Sequence, residues 1–256
     1  MKAIVLSCDK YHPVADHMIR CYQRVWPDNP LVFRVPYQEF PGQVKGFHGK
    51  NVELINSPRN IKETVLTLLD GIDDQEWIYW CMDDKYPVAL NIDVVSKLYE
   101  YITYAKDLIA DGFLFCRCRK LMNEENIRIN RGLIDFGREK YLLRANYYQF
   151  WIHQFMRAGI LRKLFKSFPD TEFGARDMDS FTGQKPGMLV KAFCPDENMY
   201  VTVRNHARFG ESTLYGELTR NCYESMLSMG LSSANLYSVV NKQNFMGEID
   251  FAVADL

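Results

Sequence analysis

The sequence predicts an α/β protein with a mostly parallel central sheet flanked by helices. Short apolar runs rich in β-favouring residues alternate with longer segments in which apolar residues recur at helical spacing. Chains with this alternation form parallel sheets, because the crossover helices pack on both faces of the strands they connect. The alternation holds over about the first 120 residues, whereas residues 121–256 follow a less regular pattern.

The first half carries strands and helices in the order β-α-β-loop-β-α-β-α-β. The strands are short and apolar and are predicted at Ala3–Ser7, Leu31–Val35, Val52–Ile55, Trp77–Met82 and Phe113–Cys118. The helices start near a proline or a capping residue and are predicted at 13–25, 60–69 and 93–109. Residues 36–51, rich in glycine, proline and polar groups, are predicted to form a loop.

The second half gives weaker patterns, and we expect it to be an irregular continuation of the same domain. Its polar stretch at 120–140 indicates a loop excursion or a small antiparallel element, and the stretch from Asn241 onward is expected to be loosely attached. Its remaining predicted elements are a β-prone segment at 141–151, a helix at 154–165, a strand at 199–203 and a helix at 215–229 that Gly230 stops.

The length fits one large α/β domain or two small ones, and the composition is ordinary for a globular protein. Of 256 residues, 47% are hydrophobic and 25% are charged, and the net charge of −1 does not favour nucleic acid as a partner. No run approaches the roughly 18 apolar residues that cross a bilayer, so we expect no transmembrane segment and at most peripheral membrane contact. The seven cysteines are scattered without zinc-binding spacing, which is typical of reduced thiols in a cytoplasmic protein.

The stretch from Trp77 to Pro87 is the strongest candidate for a functional site. An apolar, aromatic run ends there in two adjacent carboxylates, Asp83 and Asp84. Pro87 cannot donate to a β ladder, so the strand should end at or just before the acids. Ligands of open α/β sheets bind beyond the carboxyl ends of the strands, and carboxylate oxygens can hold a divalent metal that binds a diphosphate. The alternative is a solvated turn, since aspartate favours turns.

The end of the first strand carries Ser7, Asp9 and Lys10. An aspartate at this point can accept hydrogen bonds from a nucleobase or a ribose, although it suits equally well the entry to the helix that begins at Pro13. Neither a G-x-G-x-x-G nor a P-loop motif follows the strand, which argues against a dinucleotide-binding fold or an NTPase.

Several further segments, taken in their order along the chain, point to a known family. They are Ser7–Tyr11, Val25–Asp28, Ser57–Lys62, Met82–Pro87, Tyr141–Arg144, Gln149–Ile152 and Thr171–Phe173. In this order they resemble the GT-A-type glycosyltransferases of bacterial surface-polysaccharide (capsule and lipopolysaccharide) biosynthesis. The resemblance covers most of the chain and implies one GT-A-like domain over residues 1–256, with a nucleotide-binding half at 1–120 and an acceptor-side half at 121–256.

This resemblance implies a hexosyltransferase-type enzyme that moves a sugar from a nucleotide-diphosphate sugar to a hydroxyl of a saccharide acceptor, with Mn²⁺ or Mg²⁺ as cofactor. Asp84 is then expected at the metal and Asp83 at the ribose or in a structural role, because adjacent side chains of an extended chain diverge. His206 is the candidate for a further metal ligand, although a lone histidine is more often structural. Arg204 and Arg208 are alternatives for contacting the diphosphate.

An inverting transfer needs a carboxylate that takes the proton of the acceptor hydroxyl. The position that matches the family is Glu172, with Asp177 and Asp179 as nearby alternatives, and these acids suit a solvated turn equally well. Arg59 and Lys62 are candidates for the nucleotide side of the site, and a solvated helix face is the alternative for both.

Two other functions stay open at this point. A nucleotidyltransferase acting on a sugar phosphate shares the sheet and the acidic site, but it would need a glycine-rich, basic loop after the first strand, where Cys8–Pro13 offers one lysine. A non-catalytic sugar-binding protein of the same fold is the second alternative.

Overall fold

The computed structural model describes residues 1–39, 47, 49–104, 110–114, 135–136, 139–140, 142–144, 151–170, 174, 177–178, 199–202 and 206–247. Within these ranges the predicted α/β class is confirmed, with helices flanking a mostly parallel central sheet. The helices are α1 (His12–Val25), α2 (Ile61–Leu68), α3 (Ile92–Tyr104), α4 (Ala158–Ser167) and α5 (Arg220–Ser228).

The strands range from two to six residues in length. They are β1 (Lys2–Leu6), β2 (Val32–Tyr37), β3 (Val52–Asn56), β4 (Trp77–Met82), β5 (Lys85–Leu90), β6 (Ala110–Leu114), β7 (Asp135–Phe136), β8 (Glu139–Lys140), β9 (Leu142–Arg144), β10 (Gln154–Arg157), β11 (Met199–Thr202), β12 (Ala207–Glu211), β13 (Thr213–Leu214), β14 (Glu217–Thr219), β15 (Val239–Val240) and β16 (Phe245–Met246).

The central sheet has eight strands in the order β3-β2-β1-β4-β10-β6-β11-β9. Neighbours from β3 to β4 run parallel, β10 is antiparallel to both β4 and β6, and β11 is parallel to β6. Every residue of β4 is buried, as its continuous apolar run predicts for a central strand. Leu6 pairs with Met82, so the carboxyl ends of β1 and β4 meet at one edge of the sheet.

The helix predicted at 154–165 begins only at Ala158, and the helical prediction for Gln154–Arg157 is wrong. These residues form β10, which pairs with β4 on one side and with β6 on the other. The pairing satisfies the backbone of the segment from both sides, and Phe155 and Met156 are fully buried. These sheet contacts outweigh the helical periodicity of the local sequence.

β5 is a strand that the sequence pattern does not predict. β4 ends at Met82, before the acids, as expected, but the chain then turns and enters β5, at the edge of a separate three-stranded sheet of order β16-β12-β5. Pro87 lies opposite Phe209, beside a register shift in the β5–β12 pairing. A proline is tolerated there because an edge strand or a bulge does not need its missing N–H group.

The helix predicted at 215–229 is shorter than expected, because β13 and β14 form a hairpin before it. α5 begins after Thr219, whose hydroxyl accepts a hydrogen bond from the backbone N–H of Cys222 at 3.2 Å, and it ends before Gly230, as predicted. The expectation of a loose stretch from Asn241 is wrong for residues 241–247, because β16 pairs with β12 and the backbone N–H of Asn244 donates to the Asn221 side chain at 2.9 Å. Residues 248–256 lie outside the described residues.

The other predicted elements lie close to their expected bounds wherever the structure describes them. β1 to β4 start and end within one or two residues of the prediction, and β7 and β8 form a small antiparallel pair inside the 120–140 stretch. Residues 105–109, 115–118 and 145–150 of the predicted elements lie outside the described residues. Among the helices that the structure describes, none has the length and hydropathy needed to span a bilayer.

Replacing Gly210 with alanine is expected to destabilise the protein by about 2–3 kcal/mol. The added Cβ atom would lie 2.5 Å from Cζ of Tyr86, a buried ring whose hydroxyl accepts a hydrogen bond from Asn221 at 2.9 Å. Urea denaturation measures the loss. Gly71→Ala is the comparator, because its methyl group meets nothing within 4 Å but its φ of +75° costs about 1 kcal/mol. A smaller loss for Gly210→Ala than for Gly71→Ala would contradict the close packing.

Candidate functional site

A cavity of about 580 Å³ lies at the carboxyl ends of β1 and β4. This volume is typical of small-molecule sites. Its polar lining comes from Ser7 after β1, from Asp83, Asp84 and Lys85 after β4, and from Glu211 of β12. Its apolar and aromatic lining includes Tyr11, Ile61, Trp151, Leu214 and Tyr215. A second cavity, of about 460 Å³, lies between α1 and residues 229–233 and is lined by none of the predicted site residues.

Asp83 is hydrogen-bonded to the segment that leaves β1. Its backbone N–H donates to the carbonyl of Leu6 at 3.1 Å, and the hydroxyl of Ser7 donates to its Oδ2 atom at 2.6 Å. Burial raises the pKa of Asp83 to about 7; the nearby Asp84 carboxylate adds to this increase, and the Ser7 hydrogen bond opposes it. The Asp83 carboxyl can therefore accept or hold a proton close to neutral pH.

Asp84 and Lys85 form an ion pair inside the cavity. The ammonium of Lys85 donates to both carboxylate oxygens of Asp84, at 2.9 and 3.1 Å. The Asp84 side chain is 45% exposed, whereas that of Lys85 is only 8% exposed. The backbone carbonyl of Asp84 accepts a hydrogen bond from the N–H of Ser212 at 2.6 Å, which fixes the turn against the strand that follows β12.

Glu211 is a cavity residue that the sequence pattern does not reveal. It lies opposite Lys85 in the β5–β12 pairing, and its carboxylate accepts a hydrogen bond from the amide of Asn244. Glu211 stands alone in the sequence, and only the pairing of two strands far apart along the chain brings it beside the Asp83–Asp84 turn.

The hairpin tip between β13 and β14 presents an aromatic ring to the mouth of the cavity. Tyr215 and Gly216 have φ angles of +55° and +89°, so the tip is a type I′ turn. The Tyr215 residue is 81% exposed. A bulky residue at positive φ is strained, and such strain persists mainly where a site uses it. Beside the hairpin, the Tyr11 ring stacks on Tyr237 with ring centroids 6.2 Å apart.

A buried polar chain supports the end of β4 from below the acidic turn. The hydroxyl groups of Tyr79 and Tyr22 are 2.7 Å apart, and the Tyr22 hydroxyl lies 2.6 Å from Nδ1 of His153. Nε2 of His153 lies 2.9 Å from the carbonyl oxygen of Met82 and 3.2 Å from its backbone nitrogen. Burial lowers the pKa of His153 to about 3, so the ring is neutral and carries one N–H group.

Asp9 and Lys10 lie outside the cavity lining, and their predicted contact with a nucleotide is not supported. Both carboxylate oxygens of Asp9 accept backbone N–H groups, from Gln38 and from Glu39, each at 2.9 Å. Asp9 therefore holds the segment after β2 instead of facing a ligand. The side chain of Lys10 is exposed, and its ammonium lies 5.1 Å from the centroid of the Tyr11 ring.

Arg59 and Lys62 also lie outside the cavity lining, and both form ion pairs with other side chains. Arg59 forms a solvent-exposed ion pair with Glu39 at 3.0 Å. Lys62 is buried, donates to the carbonyl of Phe168 at 2.7 Å and forms an ion pair with Asp170. Lys62 therefore links the start of α2 to the end of α4.

The described residues do not fit the predicted Mn²⁺ or Mg²⁺ site. Both oxygens of Asp84 contact Lys85, and an oxygen of Asp83 accepts the Ser7 hydroxyl. His206 lies far from both acids. It precedes Ala207, which pairs with Leu90 at one end of the β5–β12 ladder, whereas Lys85, next to Asp84, pairs with Glu211 at the other end, about 17 Å away. Within the described ranges, no group of three or more His, Cys, Asp or Glu side chains is placed to hold a metal.

His206 contacts the residue that precedes α3 and does not line the cavity that Asp84 lines. It is buried, its Nδ1 atom lies 3.3 Å from the amide nitrogen of Asn91, and its backbone carbonyl accepts the N–H of Asn91 at 2.8 Å. These contacts join the start of β12 to the start of α3.

The predicted catalytic acids are only partly described. Glu172 lies outside the described residues, as does Asp179. Asp177 is exposed, does not line the cavity, and accepts a hydrogen bond from the backbone N–H of Gly174 at 2.9 Å. The capped turn that was the alternative for Asp177 is therefore the arrangement observed.

Comparisons with solved structures give weak likenesses. No protein-family model and no curated protein sequence matches the chain. The galactosyltransferase LgtC in complex with donor and acceptor sugar analogues is 12% identical, with a TM-score of 0.42, over 98% of this chain and 88% of its own. TarS 1–349 of S. aureus is 13% identical, with a TM-score of 0.47, over 78% and 57%. The 4-diphosphocytidyl-2C-methyl-D-erythritol synthase of Anaerococcus prevotii is 8% identical, with a TM-score of 0.46, over 90% and 95%. Likenesses at this level do not distinguish one activity from another.

Proposed function

We propose that the protein is a glycosyltransferase that moves a sugar from a nucleotide-diphosphate sugar to a hydroxyl of a saccharide acceptor. One observation carries the proposal: acidic, hydroxyl and ammonium groups line a cavity of about 580 Å³ at the carboxyl ends of two adjacent parallel strands, together with the aromatic rings of Tyr11, Trp151 and Tyr215. Carboxylates hydrogen-bond sugar hydroxyls, an ammonium attracts phosphate, and rings pack on the apolar faces of sugars and bases. The resemblance of the sequence to GT-A-type enzymes of bacterial surface-polysaccharide biosynthesis supports the same function.

In the proposed reaction, the oxygen of the acceptor hydroxyl forms a bond to the anomeric carbon of the donor sugar. The bond from that carbon to the diphosphate breaks, and its electron pair leaves with the nucleoside diphosphate. The proton of the hydroxyl passes to a carboxylate base, for which Glu172 is the proposed residue, and the transfer inverts the anomeric carbon. The carboxyl of Asp83 is proposed to bind a ribose or sugar hydroxyl, because it lines the cavity and its Oδ2 atom already accepts a hydrogen bond from the Ser7 hydroxyl.

The test is a melting panel of nucleotide sugars, nucleoside diphosphates and nucleoside triphosphates. A nucleotide sugar at about 100 times its Kd should raise the free energy of unfolding by roughly 2.7 kcal/mol. Stabilisation by triphosphates alone would favour nucleotidyl transfer instead. Stabilisation by free saccharides alone would favour a sugar-binding protein, and no response to any of these compounds would contradict the proposal.

Tyr215→Asn is expected to raise the stability of the protein and to weaken its binding of the donor. Asparagine tolerates positive φ and suits a type I′ turn before glycine, so the variant should gain about 0.5–1 kcal/mol in the free energy of unfolding. It should also lose about 1–2 kcal/mol of nucleotide-sugar binding, because the exposed ring is gone. Calorimetry of unfolding and of binding measures both. A variant that gains stability and binds the donor as before would show that the ring does not contact it.

A further inference from the structure

Lys85 supplies a positive charge to the lining of the cavity. Among the lining residues that the structure describes, it alone carries a positive charge, since Lys10, Arg59 and Lys62 lie elsewhere. Its side chain is 8% exposed, which is unusual for a lysine, and its ammonium lies between the Asp84 carboxylate and Sδ of Met82, at 4.0 Å from the sulfur. A buried ammonium of this kind persists because a carboxylate pairs with it.

The ammonium occupies the position that a divalent cation would need. A metal bound to Asp84 must approach the same two oxygens that Lys85 contacts at 2.9 and 3.1 Å. At that distance the two cations would repel each other. Either the lysine leaves and a metal enters, or the lysine itself is the cation that the diphosphate meets.

We propose that Lys85 takes the place of the divalent metal and binds the diphosphate of the donor, so that donor binding needs no metal ion. This inference rests on the proposed function. The strand pairing holds Lys85 rigidly at the start of β5, opposite Glu211. In the absence of donor the ammonium pairs with the Asp84 carboxylate inside the cavity. When the donor binds, the ammonium donates to phosphate oxygens, and it stabilises the negative charge that gathers on the leaving diphosphate as the sugar bond breaks.

The test compares nucleoside diphosphates in the presence of EDTA and of Mn²⁺. UDP, GDP, ADP, CDP and dTDP are titrated calorimetrically into the wild-type protein and into Lys85→Met and Lys85→Arg variants. Methionine keeps the length of the side chain without its charge, whereas arginine keeps the charge. Wild-type Kd in EDTA should lie within twofold of that in Mn²⁺. Lys85→Met should bind roughly 10–100-fold more weakly in EDTA, as expected for a lost charge-assisted hydrogen bond, and Lys85→Arg should retain most of the affinity.

Adding Mn²⁺ to Lys85→Met should restore part of the affinity, because Asp84 is then free to bind the metal. The inference is overturned if EDTA weakens wild-type binding more than tenfold, or if Lys85→Met binds as the wild type does in EDTA. If Lys85→Met does not fold, the EDTA comparison on the wild type and on Lys85→Arg decides alone. Failure of every nucleotide to bind, with or without metal, would overturn the proposed function as well; binding that requires metal would overturn this inference only.

Discussion

Replacing Asp83 with asparagine is expected to stabilise the protein at pH 8 by about 1–2 kcal/mol. Burial raises the pKa of Asp83 from 3.8 to about 7, so the native state holds an unfavourable charge at pH 8. In a sealed interior this change would correspond to about 4 kcal/mol, and the solvent in the cavity reduces it. Asparagine removes the charge and still accepts the Ser7 hydroxyl through its side-chain oxygen.

The sign of the pH dependence distinguishes this explanation from a simple packing change. Between the unfolded pKa near 4 and the native pKa near 7, native Asp83 binds a proton that the unfolded chain releases, so acidification removes its cost. The advantage of Asp83→Asn should therefore be full above pH 7 and fade as the pH falls towards 4. Urea denaturation at pH 5 and pH 8 measures it.

Asp84→Asn is the matched control for this prediction. Asp84 is 45% exposed and paired with Lys85, so its removal leaves a buried ammonium without its carboxylate. This variant should lose stability, by up to about 1 kcal/mol, where Asp83→Asn gains it. Equal changes in the two variants at pH 8 would contradict the different environments of the two acids.

Replacing His153 with phenylalanine is expected to destabilise the protein by about 2–4 kcal/mol. The substitution keeps a ring in the site but takes from the Tyr22 hydroxyl and from the Met82 backbone their hydrogen-bond partners on the imidazole, both in the interior. Tyr79→Phe is the control, because it removes the hydrogen bond at the other end of the chain and should cost about 1 kcal/mol. A loss below that of Tyr79→Phe would contradict the central place of His153 in this hydrogen-bonded chain.

His153→Phe should also change the dependence of stability on pH. Burial lowers the pKa of His153, and likewise that of His17, to about 3, whereas an unfolded histidine titrates near 6.5. Between these values the unfolded chain binds protons that the two native histidines do not, so their contribution to stability falls as the pH falls below 6.5, opposite in sign to the contribution of Asp83. Removing His153 should flatten this decline, and His17 should maintain the remainder.

The sequence predicts those elements whose local pattern and tertiary environment agree. β4 reads as a continuous apolar run and lies buried in the centre of the sheet, and α5 ends at Gly230, whose φ of +74° requires a left-handed cap. β10 could not be predicted, because Gln154–Arg157 continues a helical periodicity and is a strand only through its pairing with β4 and β6.

The sequence predicts the two acids of the candidate site but not most of the other residues that line the cavity with them. Asp83 and Asp84 follow a recognisable strand end, and the structure brings Asp83 to Ser7 at the end of β1. Glu211 and Tyr215 reach the cavity through strand pairings that the local sequence does not encode. Lys62 forms an ion pair with Asp170, 108 residues away, which the local sequence does not encode either.

Amide hydrogen exchange with and without a bound nucleotide sugar tests the central claim most directly. Slower exchange is expected in the loop after β1, in the Asp83–Asp84 turn and in the hairpin tip at Tyr215, which together line the cavity at the ends of β1 and β4. Slower exchange confined to α1 and residues 229–233, around the second cavity, or unchanged exchange at the acidic turn while the nucleotide sugar is bound, would contradict it.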